Sequence, residues 1–102
     1  MVVSDTKFLT NHARVLVAIA DTPGIRLRDI AIRLDLTERA THRIVSELEA
    51  DGYLTRHKLG ARNFYEIHPD QPLGSPDDHG LTIGDLLRLL LARTRGHTDR
   101  AA

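Results

Sequence analysis

The sequence predicts a mainly helical chain carrying one small β-hairpin, an α+β fold, and three observations carry that prediction. Leu27, Ile30, Ala31 and Leu34 recur at the spacing i, i+3, i+4, i+7, which gives a short helix one apolar face. Thr37 can then cap a second helix, Thr37 to Asp51, that stops at Gly52. Turning at ~100° per residue sets Ala40, Thr41, Ile44, Val45 and Leu48 on one side of it. Finally, Tyr53 to Leu59 is strand-like, Gly60-Ala61-Arg62 supplies a turn, and Asn63 to His68 reads as the returning strand.

The other elements follow in order. Met1 to Leu9 is too mixed to assign and is treated as an N-terminal arm (1–9). A first helix runs from Asn11 to Asp21, capped by Thr10 or Asn11 and stopped by Thr22-Pro23-Gly24. Ala13, Leu16, Val17 and Ala20 form its stripe, with Val15 and Ile19 off it, so it should be covered on more than one side. Ile25 to Leu27 suits a small extra strand. A linker (69–81) follows the hairpin, rich in proline and glycine. The segment 82–95 holds a last helix, Ile83 to Arg95. Thr82 caps it, Asp85 sits in its first turn, and Leu81 can staple to Leu86. The tail 96–102 is expected to be disordered.

Composition narrows the function classes. A chain of 102 residues makes one domain with one modest core. Apolar residues are 41% and aromatics only 4%, so that core must be aliphatic. The absence of cysteine excludes disulfides, thiolate ligation and a cysteine nucleophile. No apolar run nears the ~18 residues of a membrane span, and the start lacks a signal-peptide pattern, so a cytoplasmic chain is expected. Six histidines show no metal-binding spacing, and Asp77-Asp78-His79 falls in a loop. No nucleophile elbow, phosphate loop or catalytic carboxylate pair occurs, so neither an enzyme nor a cofactor is expected.

The face opposite the packed side of the second helix points to a partner. Arg39, His42, Arg43 and Ser46 face away from Ile44, Val45 and Leu48, giving a basic, hydrogen-bonding front that suits the major groove of double-stranded DNA. Net charge is zero, 14 basic against 14 acidic residues, yet Arg39, Arg43, Arg56, Lys58 and Arg62 gather on this helix and the hairpin. Only Glu38 intrudes, repelling phosphate unless it accepts from a cytosine amine or turns aside. The pattern over residues 10–68 is that of a winged helix-turn-helix. Candidate DNA contacts are Thr37, Glu38, Arg39, Thr41, His42, Arg43 and Ser46 on the helix, with Arg56, Lys58, Arg62 and Asn63 on the wing. Arg62, at the tip, is best placed for the minor groove. His42 and His57 share this face, where phosphate favours a charged imidazole. The alternative is a winged helix that binds another protein, for which apolar residues on the outer face are expected.

From Leu27 to Leu48, and again through Glu47-Leu48-Glu49-Ala50-Asp51-Gly52-Tyr53-Leu54, the chain resembles the bacterial winged-helix regulators of the MarR and ArsR type. It departs from them in carrying Asp35 where glycine is common, in a short wing turn, and in having only one candidate dimerising helix. The resemblance implies a transcription regulator, acting as a repressor. Whether a small-molecule effector binds is open. In the last helix, Leu86, Leu89, Leu90 and Arg93 follow one stripe and Leu87 and Leu91 a second. The stripe through Leu86 and Leu90 can pack on the domain and the one through Leu87 and Leu91 can meet a second copy, so a homodimer is expected, with Leu86, Leu87, Leu90 and Leu91 as its interface candidates.

Overall fold

A computed structural model describes residues 6–101, with side chains described as far as residue 92. Positions 1–5 of the expected arm and the side chains of the tail lie outside the described residues, as does the Arg93 side chain. Along the chain run α1 (Asn11–Asp21), α2 (Leu27–Leu34), α3 (Glu38–Ala50), β1 (Leu54–Leu59), β2 (Arg62–Ile67) and α4 (Ile83–Ala101).

Three of the four helices start where a side chain satisfies a free amide, while α2, preceded by Arg26, has no side-chain cap. Thr10 Oγ1 accepts from Ala13 N at 3.1 Å, and Thr37 Oγ1 accepts from Ala40 N at 3.0 Å. Thr82 and Asp85 cap each other: Thr82 N donates to Asp85 Oδ2 at 2.9 Å, and Asp85 N to Thr82 Oγ1 at 3.2 Å. Between α2 and α3 the chain reverses at Asp35, whose φ of 57° and ψ of 47° are left-handed. Aspartate tolerates that region better than most residues, so the turn closes without glycine. Arg14 secures the same corner by donating to the Leu34 carbonyl oxygen at 3.1 Å.

The core is aliphatic, built from Val15, Leu16, Ala18 and Ile19 of α1, Ile25 and Ile30, Ile44, Val45 and Leu48 of α3, Leu54, and Ile83 and Leu87 of α4. α1 lies at its centre, touching α2, α3, α4 and β2. Its buried face is therefore centred on Val15 and Ile19, not on the stripe through Ala13, Val17 and Ala20, which stay half-buried. A helix covered on several sides buries residues that a one-face reading leaves off the stripe.

Two expected elements differ. Ile25 to Leu27 forms no strand: Ile25 N donates back to Thr22 O at 3.0 Å, and Leu27 already begins α2. The sheet among the described residues is the antiparallel pair β1–β2, in register from Leu54↔Ile67 to Leu59↔Arg62. α4 also continues to Ala101, past the stop expected at Arg95. A lone interior glycine such as Gly96 costs only about 1 kcal/mol relative to alanine and does not end a helix.

The linker is pinned at both ends. Ile83 N donates to Gln71 O at 2.8 Å and Gly84 N to Pro69 O at 2.9 Å. Gly84 is required by that approach, since a Cβ there would lie 2.9 Å from Pro69 Cβ. At the other end, His68 N donates to Tyr53 O and Tyr53 N to Leu48 O, each at 2.9 Å, joining the base of the hairpin to the end of α3.

Candidate nucleic-acid interface

α3 presents its front because its back is fully used. Ile44, Val45 and Leu48 are buried on that back, and Thr41 is 0% exposed with its hydroxyl donating to Thr37 O at 2.8 Å. Thr41 therefore packs the helix to its neighbours and is unavailable to a partner, which corrects its place among the candidates. Opposite it, Thr37, Arg39, His42, Arg43 and Ser46 line a shallow hollow of about 650 Å³. Arg39, His42 and Arg43 are exposed and form no hydrogen bond or ion pair among the described residues. Thr37 faces the same hollow with its oxygen already serving as the helix cap.

The wing candidates divide. Lys58 is exposed and unpaired. Arg56 instead turns toward α3. Its Nη2 lies 3.2 Å from Glu49 Oε1, its backbone amide donates to Glu49 Oε2, and its Nε is buried without a partner. The alternation of β1 forces this, because Arg56 shares the inward side of the strand with Leu54. Arg56 thus straps wing to helix and is not a free contact. Arg62 is also not extended beyond the tip. Its guanidinium donates to Gly24 O and lies 5.2 Å from the centre of the Phe64 ring, a cation–π contact folded against the α1–α2 turn. His57 Nε2 meets Glu66 Oε1 at 2.8 Å, and that hydrogen bond holds the Glu66 carboxyl below its usual range. A carboxylate, rather than phosphate, is its neighbour here.

A second hollow of about 360 Å³ lies between the wing tip and the starts of α2 and α3. Asn63, Arg62 and Tyr65 line it from the wing, Glu38 from α3, and Arg26 and Arg28 from the start of α2. Burial raises the Tyr65 pKa, opposed by the charge of Arg56 beside it. Arg26 and Arg28 are exposed and unpaired, and sequence reasoning missed them. The two arginines flank Leu27, the residue that opens the first helix of the motif, and only the fold brings them beside the wing.

α4 reverses the expected use of its stripes. Ile83, Leu87 and Leu91, one turn apart, are 7%, 8% and 8% exposed, whereas Leu89 is 73% exposed and Leu86 and Leu90 are half-buried. Leu87 and Leu91 are taken up by this chain's own core, so they are not the free stripe. A hollow of about 390 Å³ opens between α1, the end of α2 and α4, lined by Leu9, Val17, Leu34, Leu90 and Leu91 with Arg14 and Arg33 at its edge. Both cations are engaged, Arg14 with Asn11 Oδ1 and Leu34 O, and Arg33 with Asp21 at 3.4 Å. Among the described residues no three histidine, aspartate or glutamate side chains gather as a metal site. Asp77 and Asp78 are used within their own loop, by Ser75 Oγ and Gly80 N. No helix among them is long and apolar enough to cross a membrane.

A left-handed turn joining two short helices, the second with an unpaired basic front, and a hairpin welded behind it make up a winged helix-turn-helix of the kind transcription regulators use. The model of the MarR family matches residues 6–62, more than half of the 102, and the chain belongs to that family, whose members are transcription regulators and not enzymes. Among solved structures the chain is similar to the PcaV transcriptional regulator from Streptomyces coelicolor, determined in complex with its natural ligand. The likeness has a TM-score of 0.55 and 23% identity over 89% of this chain and 65% of that one. At that identity the likeness is one of fold, and this chain spans a little under two thirds of the PcaV chain. A comparison with curated proteins gives no match.

Proposed function

We propose that the chain is a sequence-specific binder of double-stranded DNA that represses transcription as a homodimer on the bacterial nucleoid, in the cytoplasm. The observation that carries this reading is the unpaired trio Arg39, His42 and Arg43 on the exposed front of a buried-backed helix. Free guanidinium groups there suit the paired acceptors of guanine, and Arg26, Arg28 and Lys58 flank them with charge for the backbone. Repression follows by analogy with the family, through occlusion of a promoter. The dimer is supported by the apolar face Leu86, Leu89 and Leu90 of α4, two copies of which would bring two recognition helices about one DNA turn, ~34 Å, apart. An effector would fit the hollow between α1, α2 and α4.

Titration of duplex DNA at several salt concentrations tests the reading. Each neutralised phosphate contributes about −0.9 to the slope of log K against log salt, so binding should weaken steeply as salt rises. The rival, a protein-interaction module, is favoured by exposed Ile32 and Leu59, at 70% and 68%. Affinity for DNA that is negligible or insensitive to salt would select it.

A further inference from the structure

Glu38 is the acid that α3 leaves free. Glu47 Oε1 is held by His12 Nε2 at 2.8 Å, and Glu49 by Arg56, so both are engaged within the domain. Glu38, the first residue of α3, is exposed and makes no hydrogen bond or ion pair among the described residues. It does so while sharing a hollow with Arg26, Arg28 and Arg62. Arg62 is already spent on Gly24 O and the Phe64 ring, and neither Arg26 nor Arg28 closes on the carboxylate. At ~100° per residue, Glu38 falls within about 20° of Glu49, which faces the wing, while Arg39 and Arg43 fall on the other flank of the front. Along α3 itself the acceptor Glu38 thus lies on the wing side, with the guanidinium groups of Arg39 and Arg43 farther round the helix.

Resting on the DNA-binding reading, we propose that Glu38 determines specificity by accepting a hydrogen bond from the N4 amino group of a cytosine in the major groove. An ionised carboxylate only accepts. Guanine shows it two acceptors, thymine an acceptor and a methyl group, and adenine a donor beside the N7 acceptor. Cytosine alone offers a donor with no acceptor on its own major-groove edge. Against guanine or thymine the carboxylate repels the duplex without return, and at adenine the N7 acceptor offsets the bond gained from N6, so its charge penalises most sequences and is best relieved at cytosine. Arg26 and Arg28, lining the same hollow, hold the neighbouring phosphates against that repulsion.

The test is selection from a random duplex library with the parent chain, Glu38→Ala and Glu38→Gln, all shown to melt as folded domains. The parent should enrich cytosine at one position of each half-site, about fivefold or more over other bases. Glu38→Ala should lose that preference, keep the others, and bind random DNA more tightly. Glu38→Gln should turn the same position toward adenine, whose N6 and N7 a carboxamide pairs with. Unchanged preferences in Glu38→Ala overturn the assignment of Glu38 while leaving DNA binding intact. A parent chain that binds no duplex overturns the DNA-binding reading itself, and the assignment with it.

Discussion

Truncating Leu87 to alanine should cost about 2–3 kcal/mol of folding stability, while the same change at Leu89 costs less than about 0.5 kcal/mol. Leu87 is 8% exposed and packs with Ile83 in the seam between α4 and α1, whereas Leu89, two positions on, is 73% exposed. Buried leucine-to-alanine changes span about 2–5 kcal/mol, and the size depends on how far the surroundings close over the hole. Leu91 and Leu90 border an open hollow beside this seam, so partial collapse is available and the low end applies. In a domain of this size each kcal/mol moves Tm by about 4–8 °C, so Leu87→Ala should melt roughly 10–20 °C early. Thermal unfolding followed by circular dichroism at two protein concentrations measures this and separates dimer from fold, because a coupled dimer makes Tm concentration-dependent. Leu89→Ala should remove that concentration dependence and leave the dilute-limit Tm in place. Equal losses at both positions, or a larger dilute-limit loss at Leu89, would refute the orientation of α4.

Arg43→Ala should weaken operator binding by about 1–3 kcal/mol with Tm unchanged, read by fluorescence anisotropy beside a melt, and an equal loss on random DNA would make it a phosphate contact. Thr41→Val keeps the volume and removes the bond to Thr37 O, so it should lower stability by about 0.5–1.5 kcal/mol and leave the base preferences of the folded protein alone. Gly84→Ala drives a Cβ to within 2.9 Å of Pro69 Cβ and should destabilise by about 1–3 kcal/mol, measured by urea unfolding. Capping by Thr82 lowers the Asp85 pKa in the folded chain, so the stability it lends is complete above the ordinary carboxylate value and fades as pH falls through the lower folded one. Thr82→Ala should flatten that acid-side decline in denaturation curves taken at a series of pH values.

The helices were legible because their signals are local. Thr10, Thr37 and Thr82 announce their caps, and the apolar spacing of α2 and α3 names the faces that the structure buries. The turn at Asp35 was legible too, since its geometry follows from the residue's own tolerance of positive φ. What escaped depends on contacts distant in sequence. Arg56 reads as a basic wing residue until Glu49 is seen beneath it, and Arg62 reads as a tip residue until Gly24 is seen beside it. Both stripes of α4 carry leucines, so the position of α1 decides which one is covered. Arg26 and Arg28 join the face for a similar reason: the fold brings the start of α2 to the wing, and nothing in their spacing says so.

The strap between Arg56 and Glu49, with the backbone bonds from Tyr53 to Leu48 and from His68 to Tyr53, bears on the thermodynamics of any encounter at this surface. A two-stranded hairpin by itself is marginal in water, and freezing a loose one costs about 1–2 kcal/mol per residue in backbone entropy. Here that ordering is completed during folding, at the base of the hairpin, before anything is touched. A wing anchored at its base brings that backbone ordering to the encounter already done, so contacts made along it lose less of their free energy to entropy.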